Sequence, residues 1–190
     1  MSNLHEVLFR IEFGLRRLGR SALIDSLLPG LSVEDVGRQM KAAGLCTSFM
    51  VEELYSWKDG TETSGKLLDD IQMFPGFFML SMEDAVVNYR TLVRDSRWSA
   101  GWVPLFANGG GDFYLVELGH QSCGAVRHFR IDETDHPIEF RSVFDMMSTL
   151  AAGFDLGVFF VDEYGYLEMN DPQFADLAAT MNPSVAWWRD

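Results

Sequence analysis

Residues 101–118, GWVPLFANGGGDFYLVEL, set an apolar run on each side of Asn108-Gly109-Gly110-Gly111-Asp112. Both runs are short and rich in aromatic and branched side chains, the composition of strands. Glycine reaches positive φ without steric cost, so three in a row between two such runs predict a hairpin turn. The competing reading is a phosphate cradle, which joins a strand to a helix whose N-terminus supplies amide donors. Here no Gly-Lys-Ser/Thr follows, DFYLVEL has no helical stripe, and Asp112 would repel a phosphate. The stretch therefore predicts a turn between antiparallel strands.

The flanking sequence alternates with helices. Leu4, Val7, Leu8, Ile11, Leu15 and Leu18 recur at helical spacing, which predicts a first helix running toward Pro29-Gly30, with Arg16, Arg17 and Arg20 near its end. Ser32 with Asp35, Ser81 with Asp84 and Ser142 with Asp145 are helix-start signals. A further helix near SFMVEELYSWKDG stops at Asp59-Gly60, and Asp171-Pro172 starts a last one. AVRHFRI, IEF and a pair around Asp162 to Gly165 read as additional strands. The expected class is α+β, a mostly antiparallel sheet with helices packed around it in a single domain. Residues 1–31 are expected to form an N-terminal helical extension to a domain spanning 32–190.

Charge is distributed unevenly. The chain of 190 residues carries a net charge of −13, and residues 131–190 hold 12 acidic side chains against Arg141 and Arg189 alone. Such a field repels nucleic acid and anionic lipid and attracts basic partners, although an acidic surface also serves plain solubility. Glu6, Arg10 and Glu12 interrupt the apolar stretch a secretion signal would need, and MFPGFFML is far short of a membrane span. Cys46 and Cys123 are too few for a disulfide framework and suit a reducing compartment. A cytoplasmic location is expected.

Catalytic signals are thin. GHQSCG (119–124) half resembles a nucleophile elbow, but His120 replaces its first glycine. His120, Cys123, His128 and His136 fall within 17 residues without the tight pairs of a zinc site, and alternation with Phe129 puts His128 on the wetter strand face. Asp132, Glu133 and Asp135 lack the ligand period of a calcium loop. No catalytic residue, metal or cofactor is expected.

The motifs together resemble the SUKH superfamily, the Smi/Knr-like proteins. There a Trp-x-Pro segment leads into an Asn/Asp-Gly-x-Gly-Asp turn, positions occupied here by Trp102, Pro104, Asn108, Gly109, Gly111 and Asp112. ELYSWKDG, with Trp57 and Gly60, is similar to the family's helix ending in an aromatic residue and Asn/Asp-Gly. MFPGFFMLSMEDAVVNYRTLV, GAVRHFRID and SVFDMMSTLAAG resemble its later segments in the same order, so the match covers about residues 32–157. Where the family has Leu-Pro before its first motif helix, this chain has Thr47-Ser48. The resemblance implies an antiparallel sheet wrapped by helices and a non-catalytic binding module. Bacterial members act as immunity proteins that neutralise toxins, often nucleases, and fungal members regulate cell-wall synthesis through protein contacts.

A nuclease presents a basic groove, and an acidic face on its inhibitor speeds association. Asp132, Glu133, Asp135, Asp162, Glu163, Glu168 and Asp171 are the candidate partner-binding carboxylates, for a basic toxin domain. The alternative is a small-ligand or peptide receptor with Trp57, Trp98, Trp102, Phe113 and Tyr114 lining a pocket, and Asp112 and Glu117 as polar contacts. A hydrolase using His120 and Cys123 is the weakest reading. Trp187-Trp188 is either the docking edge of a homodimer or a buried anchor.

Overall fold

Serine side chains open four of the helices. Ser32, Ser48, Ser81 and Ser142 accept the backbone N–H three residues on, at 3.0–3.4 Å, and so satisfy donors that each first turn leaves free. In the computed structural model, which describes residues 4–119 and 124–189, these caps start α3 (Val33–Ala42), α4 (Phe49–Trp57), α6 (Met82–Leu92) and α7 (Val143–Asp155). Asn170 caps α8 (Asp171–Met181), with Pro172 in the first turn where its missing N–H costs nothing.

The first helix, α1 (Leu4–Arg17), does not run on to Pro29. Gly19 turns left-handed at φ +77°, Gly19 N–H bonds to the Arg16 carbonyl, and Arg20 N–H reaches back to Leu15, a pairing that closes a helix end. The chain then forms α2 (Ser21–Ser26) and the strand β1 (Leu27–Pro29), which pairs antiparallel with β2 (Lys58–Thr61). Asp59-Gly60 thus lies inside a strand directly after the helix stop. Residues 4–31 contribute to the common core: Leu4, Leu8, Ile11 and Leu15 are fully buried, and α1 packs along α7. Burying each such side chain contributes about 2 kcal/mol.

A short helix α5 (Leu68–Ile71) precedes the main sheet. Its strands are β3 (Phe78–Met79), β4 (Trp102–Ala107), β5 (Phe113–Glu117), β6 (Val126–Phe129) and β7 (Ile138–Phe140), antiparallel and side by side in chain order. Pro104 sits in the central part of this sheet, where a proline removes a ladder donor; the β4–β5 register shifts between Pro104 and Phe106 to absorb it. A separate hairpin, β8 (Phe159–Val161) with β9 (Leu167–Met169), packs inward through Phe159 and Leu167, and a 3-10 turn (Ala186–Trp188) closes the described chain. The class is α+β with antiparallel sheets throughout, as expected. No helix among the described residues is long and apolar enough to cross a membrane.

Alternation along β5 and β6 divides the main sheet into two faces. Phe113 lies opposite Phe129, and Tyr114 lies opposite His128. His128 packs against Tyr114 and Phe77 and keeps 18% side-chain exposure, whereas Phe129 on the opposite face has none, so the alternation is the expected one. The exposure stays small because the hairpin and α8 region bring Phe159, Met169 and Phe174 over that side of the sheet.

Candidate functional site

The glycine segment is a turn locked by two side chains. Asn108 Oδ1 accepts the N–H groups of Gly110 (2.7 Å) and Asp112 (3.0 Å), and Asn108 Nδ2 donates to Asp112 Oδ2 at 2.9 Å. Gly109 and Gly111 take φ of +78° and +111°, which side chains rarely adopt. Asp112 Oδ1 accepts Ile131 N–H at 2.8 Å, so the turn also fixes the start of the acidic segment after β6. With their amides bonded to Asn108 and their carboxylate spent internally, these residues act as a structural fastener. Trp57 and Gly60 have the same character. Trp57 is half-buried against the core, and Gly60 passes so close to the Leu80–Ser81 backbone that an added Cβ would lie 2.2 Å from Ser81 N. Beside it, Asp59 Oδ1 accepts Met82 N–H at 2.8 Å; burial raises the pKa of this carboxyl, with Asp84 and Glu83 adding to it against that hydrogen bond.

The seven candidate carboxylates fall into two groups that no hydrogen bond or ion pair among the described residues joins. Asp132, Glu133 and Asp135 are exposed on the turn between β6 and β7. Two guanidinium groups are fastened to this turn. Arg97 holds Asp95 with paired hydrogen bonds and donates to the carbonyls of Ile131 (2.6 Å) and Glu133 (3.3 Å); Arg130 donates to the Asp135 carbonyl (2.9 Å) and lies over the Trp187 ring. Those bonds keep the Asp95 carboxyl at about 2, well below its usual range.

Asp162, Glu163, Glu168 and Asp171 belong to the β8–β9 hairpin and the start of α8. Asp162 Oδ1 accepts the N–H groups of Tyr164 (2.9 Å) and Tyr166 (2.8 Å) and shapes the hairpin tip; the other three are exposed. Between Arg141 and Arg189 there is no lysine, arginine or histidine. Arg20 approaches from beneath, buried and directed at the Gly165 and Asp69 carbonyls, where burial lowers its pKa. The outer side of this hairpin also carries Phe160, Tyr164 and Tyr166, at 42%, 76% and 46% exposure. Sequence reasoning missed these aromatics. Their spacing in FFVDEYGYLEM was the available signal, since Phe159 and Leu167 fix which side faces in.

The residues of the expected aromatic pocket are divided by the sheet. Trp98, Trp102 and Phe113 pack with Phe129 and His136 on one face. Trp98 Nε1 donates to the Trp102 carbonyl, and Arg127 lies over the Trp102 ring while pairing with Glu117 at 2.6 Å. Burial lowers the His136 pKa, and Arg97 and Arg130 add to the effect.

Tyr114 lies on the other face, in a cluster absent from the sequence reading. Glu139, 3% exposed, receives the Tyr114 hydroxyl at 2.8 Å and faces His128 Nδ1 at 3.0 Å. Burial, then the Glu139 charge, pushes the Tyr114 hydroxyl well above its usual pKa. This cluster borders an apolar cavity of about 180 Å³ lined by residues including Phe74, Phe77, Phe140, Met146 and Phe174. A larger open groove of about 510 Å³ runs between β7 and the C-terminal turn, but its arginines are already paired, Arg127 with Glu117 and Arg141 with Asp145.

His128 and His136 stand on opposite sides of the sheet, and no group of three metal-ligating side chains occurs among the described residues. His120 and Cys123, the pair behind the hydrolase reading, lie outside the described residues. Trp188 is an anchor: its Nε1 donates to the Glu139 carbonyl at 2.6 Å, and its ring meets Phe140 and Phe174. Trp187 stays 40% exposed under Arg130. No family model matches this chain, and no curated protein matches it.

Proposed function

We propose that the chain is a non-catalytic protein-binding module that engages a basic partner through the outer side of the β8–β9 hairpin. The observation that carries this reading is the composition of that surface. Exposed Phe160, Tyr164 and Tyr166 sit among Asp162, Glu163, Glu168 and Asp171; the sequence holds no cationic side chain between Arg141 and Arg189, and Arg20, which bonds the Gly165 carbonyl, is buried beneath. Rigid aromatic side chains supply most of the energy of a typical protein interface, while surrounding charge selects the partner and speeds encounter. The resemblance to SUKH proteins points the same way, toward an immunity protein that covers the basic groove of a nuclease-type toxin from within the cytoplasm. The turn at 132–135 is the less favoured half of the acidic surface, because Arg130 lies beside it and Arg97, paired with Asp95, ties down its backbone.

The test starts from the gene's immediate neighbours. A basic domain encoded beside this chain is purified, and its binding is followed by surface plasmon resonance between 50 and 500 mM NaCl. Support is a complex that weakens steeply with salt and loses at least about tenfold in affinity on Tyr164→Ala. A neighbouring basic domain that ignores the protein, or a complex indifferent to the hairpin, would sink the reading.

A further inference from the structure

The cavity between the sheet and the β8–β9 hairpin is lined by aromatic and aliphatic groups apart from the polar ends of Tyr114 and His128, both of which are held by Glu139 outside the lining. In the neutral tautomer with its proton on Nδ1, His128 donates to the Glu139 oxygen that faces it at 3.0 Å. The other nitrogen, Nε2, is then a lone-pair acceptor. It is shielded from solvent and has no hydrogen-bond partner among the described atoms. Both Glu139 oxygens are occupied, one by the Tyr114 hydroxyl and one by His128, so the acceptor without any partner is Nε2.

We propose that this cavity is a binding site for a single-ring, neutral aromatic molecule carrying one hydrogen-bond donor, a phenol or an equivalent N–H compound, with the donor directed to His128 Nε2. Size fixes the first half of the description: about 180 Å³ is slightly more than the roughly 150 Å³ cavities that take up benzene. Ring faces and edges from Phe74, Phe77 and Phe140 suit an aromatic guest. Chemistry fixes the second half. A carboxylate ligand would meet the Glu139 charge, and a cation would lose its hydration with no free anionic oxygen to receive it. A neutral donor satisfies a buried acceptor that is otherwise unmade. The inference does not rest on the docking reading, since the cavity uses the inward residues Phe159 and Met169 and docking uses the outward Phe160, Tyr164 and Tyr166.

The experiment titrates the full chain with phenol and, separately, with toluene, following amide and methyl NMR signals of the cavity residues. Phenol is expected to bind at least about tenfold more tightly than toluene, and His128→Phe to abolish that preference. Met169→Phe, which fills the wall nearest the hairpin, is expected to abolish binding of both ligands and serves if the His128 variant does not fold. Equal binding of the two ligands, a preference that survives in His128→Phe, or shifts that leave the cavity signals untouched would each overturn the proposal.

Discussion

The two acidic segments of the C-terminal third look alike in sequence and differ in surroundings. Each depends on an aspartate that receives backbone N–H groups: Asp112 holds Ile131 at the head of the 132–135 turn, and Asp162 holds Tyr164 and Tyr166 in the hairpin. Around the turn, Arg97 and Arg130 reach over the backbone and place positive charge among the carboxylates. Around the hairpin, Arg20 reaches the Gly165 carbonyl from the buried side, and the outward neighbours of the carboxylates are exposed aromatic rings. Carboxylate count is therefore a poor guide to an acidic docking surface; what decides is which cations the fold brings alongside.

The largest expected effect is on the anchoring of the turn. Asp112→Ala leaves Ile131 N–H and Asn108 without their acceptor, joins two loops less firmly, and is expected to cost about 2 kcal/mol in urea unfolding. Asp162→Ala removes bonds local to one half-exposed hairpin, for about 1 kcal/mol, and its signature is faster amide exchange confined to residues 158–170. A global loss from Asp162→Ala as large as that from Asp112→Ala would break the distinction.

The turn should also respond to pH where the hairpin does not. His136, beside Arg97 and Arg130, has its pKa lowered in the folded state, first by burial, so between that value and about 6.5 the unfolded chain binds the extra proton. Stability associated with His136 is complete above about pH 6.5 and falls as pH drops through this window. His136→Gln should flatten the melting temperature between pH 7 and pH 5, while Glu163→Gln and Glu168→Gln should leave that slope unchanged. The smallest effect is charge reversal. Glu133→Lys adds a cation near two arginines and should lower stability by a few tenths of a kcal/mol, roughly 0.3, whereas Glu168→Lys should raise it by a similar amount. Both changes should shrink in 0.5 M NaCl.

Much of the fold was legible because local signals matched their elements. Ser32, Ser81 and Ser142 cap the helices expected of them, and the Asn108–Asp112 turn joins strands as glycine chemistry requires. What escaped depended on distant partners. The β1–β2 pairing contains Pro29 and Gly60, which weaken strand signals, and the end of α1 at Gly19 was masked by leucines that continue the helical period. The Tyr114–His128–Glu139 cluster needs the register of three strands, including a shift between Val126 and Arg127 that no local pattern encodes. The acidic residues were visible one by one, but Arg97 lies 34 positions from Ile131, so its place against the turn was not.

The most direct test compares two sets of substitutions on one complex. Affinity for the basic domain encoded beside this chain is measured at 100 mM NaCl for Glu163→Gln/Tyr164→Ala/Glu168→Gln and for Asp132→Asn/Glu133→Gln/Asp135→Asn. The expected result is a loss of at least about tenfold for the hairpin set and less than about threefold for the turn set. Equal losses, or a larger loss for the turn set, would contradict docking through the hairpin.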